Sequence, residues 1–331
     1  MNLFLIAFTD RGKALADALA AALGGEAMRC GEPLGLNNWT AAHFQTGNSL
    51  IFVGAAGIAV RAIAPHVQGK DSDPAVVVVD ERGRFAIPIL SGHLGGANDL
   101  SRAIGRVCGA IPVLTTATDV NDVFAVDEWA KRQNCAVFDV GKIKEISALL
   151  LSGGTVRVHS VWPIEGGTPD GVTLASGGGC DIRLDICTSD RDALHLIPRI
   201  AVLGLGCRKG TSREALEEAL AAVLGRAGLS ELSVCAVATI DLKKNEPGLL
   251  AFCDAHGWPL YTYSAEQLKQ AEGNFTASAF VEHVTGVDNV CERAAVLASA
   301  GPIRWKKAAG HGVTMAVALK PYHPPWRWRY E

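Results

Sequence analysis

The chain has 331 residues, 49% of them hydrophobic and 20% charged, with 31 basic against 34 acidic side chains and a formal net charge of −3. That composition fits a folded protein with a substantial core, long enough for about two domains of roughly 150 residues with a connecting module. The near balance of charge argues against nucleic acid or an anionic membrane as partner, so an anionic ligand would be held by local groups.

Met1 to Phe8 is apolar but short, has no basic leader and is closed by Asp10 and Arg11, so Leu3–Phe8 reads as a first strand rather than a signal peptide. Leu15, Leu19 and Leu23 give Ala14–Leu23 helical spacing. Pro33 to Val60 carries no Asp, Glu, Lys or Arg, but Asn37, Asn38, Gln45, Asn48 and several glycines disqualify it as a membrane span, and a cytoplasmic location is expected. Ser49–Val53 predicts a strand, Ile58–Ala64 a short helix stopped at Pro65, and the β-branched Ala75–Val79 a strand buried on both faces. Asp80-Glu81-Arg82-Gly83 predicts a hairpin turn into Arg84–Ile89, which makes the sheet mixed. Ala97, Leu100, Ile104 and Val107 form the inward face of the next helix, and Val113 and Leu114 open another strand.

The middle of the chain predicts helices over Asp127–Gln133 and Lys142–Leu150, and strands over Thr155–Val161, Val172–Ala175 and Asp181–Cys187. Pro- and Gly-rich Trp162–Gly171 and Ser176-Gly177-Gly178-Gly179 interrupt them. The α/β rhythm then restarts with strands over Ile200–Leu205, Val234–Ile240, Leu260–Tyr263 and Val313–Leu319. Between them, Thr211-Ser-Arg-Glu214 is a capping box opening a helix to Leu224, Glu246 opens Pro247–Ala255, Ser264-Ala-Glu-Gln267 is a second capping box, and Val290–Leu297 is helical. The expected architecture is α/β: two three-layer α/β/α domains with mixed sheets joined by a small central α+β module. Their bounds are 1–122, 123–197 and 198–320, with an irregular aromatic and basic tail over 321–331.

Three strand-to-helix joints share one physical logic, since unpaired N–H groups at a helix start and a glycine backbone together accept an anion. They are Gly54-Ala-Ala-Gly57 with Arg61 one turn on, Gly92-His93-Leu-Gly95-Gly96 before Asn98, and Gly204-Leu-Gly206-Cys-Arg208-Lys209-Gly210 before Thr211. None has the spacing of a phosphate-binding loop or a dinucleotide fingerprint, so carboxylates fit at least as well as phosphates. The plainer reading of any one joint is a turn. Ser91 and His93 offer either a nucleophile with its base or a histidine that activates water. Asn98 and Asp99 are placed to cap the helix, and Asp119 follows Thr115-Thr-Ala-Thr118 at a strand end. Asp241 with Lys243 and Lys244 reads either as a seat for an acidic substrate or as a solvated loop, and Lys306 to Gly312 as a hairpin turn or a binding edge. Nine scattered cysteines without a C-x-x-C pair read as reduced thiols, and no metal-ligand set is visible.

Six stretches carry a resemblance. "GIAVRAIAPHVQGKDSDPAVVVVDERGRFAIPILSGHLGGANDLSRAIG", followed by "PVLTTATD" and "AVDEWA", resembles the N-terminal region of the CbiG family, the cobalt-precorrin-5A hydrolases of anaerobic cobalamin biosynthesis. "LGLGCRKGTSREALEEAL", "ATIDLKKNEPGLLAF" and "KKAAGHGVTMAVAL" resemble that family's C-terminal domain, itself similar to the stand-alone protein CobE. The resemblance implies opening of the ring A δ-lactone of a carboxylate-rich cobalt-corrinoid, with loss of a two-carbon fragment as acetaldehyde. Cobalt arrives with the substrate, and no protein-bound cofactor is implied. Neighbouring pathway enzymes and a second copy of the chain are further candidate partners.

On this reading His93 is the base for water, with Ser91 as a covalent nucleophile in second place, and Asp99 or Asp119 orients His93 or handles a proton. Gly57, Arg61, Gly92, Gly95, Gly96, Asn98, Arg208, Lys209, Thr211, Asp241 and Lys243 hold the substrate, with the N–H groups near Gly95 and Gly96 at the oxyanion. The glycine corners are expected to face one shared hollow, in a cleft between the terminal domains. The competing readings are a non-catalytic corrinoid binder and a transferase for a phosphate ligand.

Overall fold

The structure, a computed structural model, describes residues 2–31, 33–69, 72–176, 179–187, 192–310 and 312–328. Gly177 and Gly178 of the expected flexible interruption, and His311 of the expected hairpin tip, lie outside them. The chain divides into two compact units. One runs to Lys131 and takes in Ser147–Gly154 and Trp328; the other comprises Arg132–Ile146 and Thr155–Arg327.

The first unit is built as β1 (Asn2–Ala7), α1 (Asp10–Leu23), β2 (Gly25–Arg29), α2 (Leu36–His43), β3 (Asn48–Val53), α3 (Ala56–Ile63), β4 (Ala75–Val79), β5 (Phe85–Leu90), α4 (Ala97–Cys108), β6 (Ile111–Pro112), α5 (Ala117–Val120) and α6 (Val126–Arg132). Its sheet has the order β2-β1-β3-β4-β5-β6. The first four strands are parallel, β5 runs antiparallel to β4, and β6 is parallel to β5. Strand alternation explains the two faces. Leu5, Ala7, Ile51, Val53, Val77 and Val79 meet Ala16 and Leu19 of α1 and Ala97 and Ile104 of α4. Their neighbours Ile6, Leu50, Phe52, Val76 and Val78 meet Trp39 of α2 and Ala59, Ala62 and Ile63 of α3. Apolar residues at every position of β4, and from Leu50 to Val53 in β3, are what a strand covered on both sides requires. Val107, expected inward on α4, is instead 41% exposed, and Asn98 and Ser101 take buried places on that helix.

In the second unit, β7 (Cys135–Val137), α7 (Lys142–Leu151), β8 (Val156–Ser160), β9 (Val172–Leu174), β10 (Ile182–Leu184) and β11 (Leu194–Pro198) form a sheet of order β7-β11-β10-β8-β9, α7 lying across both units. Then come β12 (Ala201–Cys207), α8 (Arg213–Ala227), β13 (Val234–Ile240), α9 (Pro247–His256), β14 (Leu260–Tyr263), α10 (Ala265–Lys269), α11 (Ala279–Thr285), α12 (Cys291–Ser299), β15 (Ile303–Gly310) and β16 (Val313–Leu319). Their sheet, β14-β13-β12-β16-β15, packs α8 and α9 on one face and α10 and α12 on the other. Both α/β sheets are therefore three-layered and mixed. The capping box at Ser264 has both of its hydrogen bonds. The one expected at Thr211 is displaced: Ser212 caps α8, and the Thr211 hydroxyl turns back to the Arg208 carbonyl. The described part of the tail, residues 321–328, forms no regular element, yet it is packed. Trp326 is buried, the N–H of Glu165 donates to the Pro324 carbonyl, and the N–H of Trp326 donates to the Glu165 carbonyl.

Candidate active site

The reversal at β5 decides where the glycine corners lie. Val53 pairs with Val79, so the Gly54–Gly57 joint leaves the sheet at the far end of β4. Leu90 pairs with Val76, so Ser91 to Gly96 emerges beside the start of β4. At about 3.3 Å per residue the two corners stand on the order of 15 Å apart, on opposite edges of one sheet. The expectation of a single hollow shared by all corners is therefore corrected within the first unit. Gly57 and Arg61 sit on the edge away from His93, where an Arg61 Nη donates to the Gly57 carbonyl.

His93 is the centre of the second corner. Its Nδ1 lies 3.0 Å from an Asp127 carboxylate oxygen, and its Nε2 lies 3.0 Å from Asp119 Oδ2. Asn98 Nδ2 donates to the same Asp119 oxygen at 2.9 Å, and an Arg102 Nη donates to the other at 3.0 Å. A second Arg102 Nη reaches Asp99 at 3.3 Å. Lys131 Nζ lies 3.7 Å from Asp99 and donates to the His93 carbonyl at 3.5 Å. Glu128 completes the group, 3.7 Å from His93 Nε2 and 3.9 Å from Arg102. The loop after β5 carries His93, α4 carries Asn98, Asp99 and Arg102, α5 carries Asp119, and α6 carries Asp127, Glu128 and Lys131.

The electrostatics follow from burial and pairing. Burial by itself would lower the His93 pKa, but hydrogen bonds to Asp119 and Asp127, with the charges of Asp127 and Glu128, outweigh it and hold the ring up at about 10. Burial raises the Asp119 carboxyl, yet His93 and Arg102 prevail and bring it below the usual aspartate range. At Glu128 burial prevails over His93 and Arg102, and with Asp119 and Asp99 nearby the carboxyl is raised. An isolated charge moved into such a setting costs several kcal/mol even after relaxation, so the imidazolium and its two aspartates are stable only together.

The loop geometry has its own reasons. Ser91 adopts φ 53°, a left-handed conformation rare outside glycine, and its buried hydroxyl has no partner among the described residues. A Cβ on Gly95 would stand 2.3 Å from the Ser91 Cβ, so that glycine is there for close packing. Gly96, at φ 92°, is the residue preceding α4. Asn98 is not a cap: it lies inside α4, 1% exposed, and its amide is committed to Asp119.

The remaining expected residues gather on one edge of the C-terminal sheet. Arg208, Lys209 and Thr211 follow β12, and Asp241 and Lys243 follow the parallel β13. The N–H of Arg208 donates to the Gly312 carbonyl, bringing in the β15–β16 turn. Glu246 ties these loops together, accepting from the Gly210 N–H and from Lys243 Nζ. Gly204 serves packing rather than a ligand, because a Cβ there would collide with the Cys291 carbonyl of α12.

Arg102, Asp127, Glu128 and Lys131 were not expected at a site. The polar run of α4 that breaks its apolar face is the one signal that points to Arg102, whereas Asp127 and Glu128 read as ordinary first-turn acids of a helix. His93, Asp119 and Glu128 place one donor atom each within 4.8 Å of one another, a spacing open to a cation. Arg102 already supplies positive charge to both of those carboxylates. A cavity of about 450 Å³ opens on the same edge of the sheet, where Gln45 and Thr46 precede β3 and Asp73 and Pro74 precede β4; Phe44 and His66 also line it.

Residues 38–119 match the family model described as cobalamin synthesis G N-terminal, and residues 201–318 match the one described as cobalamin synthesis G C-terminus. The chain is 37% identical to a cobalt-precorrin-5A hydrolase of Salmonella typhimurium, over 96% of this chain and 97% of that protein. It is 32% identical to a cobalt-precorrin-5A hydrolase of Priestia megaterium, over 84% of this chain and 80% of the relative. A solved structure of CobE, a protein from the cobalamin (vitamin B12) biosynthetic pathway, is 29% identical over 38% of this chain and 94% of that one, with a TM-score of 0.36.

Proposed function

The chain belongs to the cobalamin synthesis G family, and on that footing we propose that it is a cobalt-precorrin-5A hydrolase working at the His93 cluster. The observation that carries the reading is 37% identity to a protein of that name along nearly the whole of both chains. The reaction is hydrolysis of the ring A lactone followed by release of acetaldehyde, giving cobalt-precorrin-5B. Water adds to the lactone carbonyl, and the ring oxygen departs as a hydroxyl. Loss of that hydroxyl's proton with cleavage of the adjoining carbon–carbon bond frees acetaldehyde. The macrocycle keeps the electron pair and takes up a proton.

Each stage develops negative charge, which favours fixed positive groups in a site shielded from water. His93 supplies one, with Arg102 beside it. Since the ring is already protonated and both nitrogens are engaged, His93 acts as a fixed cation rather than as the base for water. Asp119 and Asp127 hold it in that state. Water is the nucleophile: the Ser91 hydroxyl has no base in hydrogen-bonding reach among the described residues. Cobalt is part of the substrate, and the protein holds no cofactor of its own. No disulfide joins the cysteines among the described residues, which suits a reducing, cytoplasmic setting, and no helix is long and apolar enough to cross a membrane among the described residues.

The test is acetaldehyde release from cobalt-precorrin-5A by the purified protein. Stoichiometric acetaldehyde, at a rate unchanged by prior chelation of the enzyme, is expected. Intact substrate after prolonged incubation contradicts the reading, and a rate abolished by chelation and restored by a divalent ion contradicts the absence of a cofactor.

A further inference from the structure

Glu128 differs from every other acid around His93. Asp119 accepts hydrogen bonds from His93, Asn98 and Arg102, and Asp127 accepts from His93 and from the Glu128 N–H. Glu128 is 4% exposed, yet its carboxylate accepts no hydrogen bond among the described residues. Its nearest cations stand at 3.7 and 3.9 Å, beyond hydrogen-bonding range. A buried carboxylate without donors is disfavoured unless it can take a proton.

We propose that Glu128 is the catalytic acid–base, the one carboxyl that exchanges protons with water and substrate. This rests on the hydrolase reading. In the lactone step ionised Glu128 takes a proton from the attacking water, the carbonyl–ring oxygen bond breaks, and the proton passes from Glu128 to the departing oxygen. In the second step Glu128 takes the proton of that hydroxyl as the carbon–carbon bond breaks to acetaldehyde, and delivers it to the carbon that keeps the electron pair. One water is consumed, nothing is oxidised, and Glu128 ends as it began.

The groups that set its state are His93 from the loop, Asp99 and Arg102 from α4, Asp119 from α5, and Asp127 and Lys131 from its own helix. Burial comes first among the influences and raises the carboxyl, and the charges of Asp119 and Asp99 act in the same direction. A carboxyl raised from its ordinary value is better placed to serve as both base and acid than a lowered one such as Asp119.

Two measurements on the full-length protein test this. Acetaldehyde release from cobalt-precorrin-5A is followed against pH for wild type, Glu128→Gln and Glu128→Asp. Glu128→Gln is expected to lose about 100- to 10,000-fold in rate and the acid limb of the profile, with Glu128→Asp keeping the limb and part of the rate. Infrared difference spectra without substrate should show a carboxyl band titrating above the ordinary glutamate range in wild type and absent from Glu128→Gln. A Glu128→Gln protein with wild-type rate and profile, or a wild-type spectrum without that titration, overturns the proposal. A wild-type protein that releases no acetaldehyde contradicts the hydrolase reading instead, and the infrared titration then still decides the protonation of Glu128.

Discussion

His93, Asp119 and Glu128 bind protons differently in the folded chain and in the unfolded one, so each ties stability to pH in its own direction. His93 is raised from 6.5 to about 10, so its contribution is complete below about 6.5 and is lost as pH rises through 10. Asp119 is lowered from 3.8, so its contribution is present above that value and is lost as pH falls through the lowered one. Glu128 is raised from 4.5, so the fold favours its neutral form, and ionisation at higher pH works against it. Glu128→Gln should therefore unfold at a higher temperature than wild type at pH 8, with the gap closing near pH 4, where both side chains are uncharged. Thermal denaturation at the two pH values checks this, and a variant equally destabilised at both would show that the carboxyl is held ionised. Of this residue-level arrangement, His93, Asn98 and Asp99 were legible because they lie in or beside one glycine-rich joint, and Asp119 because it follows a strand end. Arg102, Asp127, Glu128 and Lys131 were not, because their roles depend on how α4 and α6 are brought together.

The loop between β5 and α4 is the element on which the site depends. Its glycines are not uniform in purpose. Gly95 makes room for the backbone and Cβ of Ser91, and no flexible side chain can give way there. Gly95→Ala should cost about 1–3 kcal/mol by overpacking, and it should lower acetaldehyde release by displacing His93. Urea denaturation together with the rate assay checks both, and unchanged stability would mean that the loop is free to rearrange. Most long elements were legible from pattern alone, because Ala75–Val79 is apolar throughout and Val234–Ile240 apolar but for Thr239, and Ser264 and Gln267 form a capping box whose spacing is local. The misses have physical causes. β2 is an edge strand with polar residues, and α2 opens without a side-chain cap. At α8 two adjacent hydroxyls competed for one cap, and Ser212 rather than Thr211 took it.

At the scale of the molecule, two mixed α/β sheets each gather charged loops on one edge, but by different routes. In the C-terminal sheet the parallel run β12–β13 brings Arg208, Lys209, Asp241 and Lys243 to the carboxyl edge, as strand direction requires. In the N-terminal sheet the hairpin at Asp80–Gly83 reverses the chain, and His93 comes to the edge opposite Gly57 and Arg61. That hairpin is itself readable in the sequence, and a single hollow for all the corners is inconsistent with it. The central claim is that the N-terminal edge holds a histidine kept cationic between two aspartates. Nitrogen-15 NMR of the His93 ring, assigned with a His93→Gln control, tests it most directly. Both ring nitrogens should stay protonated from pH 6 to pH 9, with titration setting in only toward about 10. A His93 ring that loses its proton near the ordinary value of 6.5 would contradict the account.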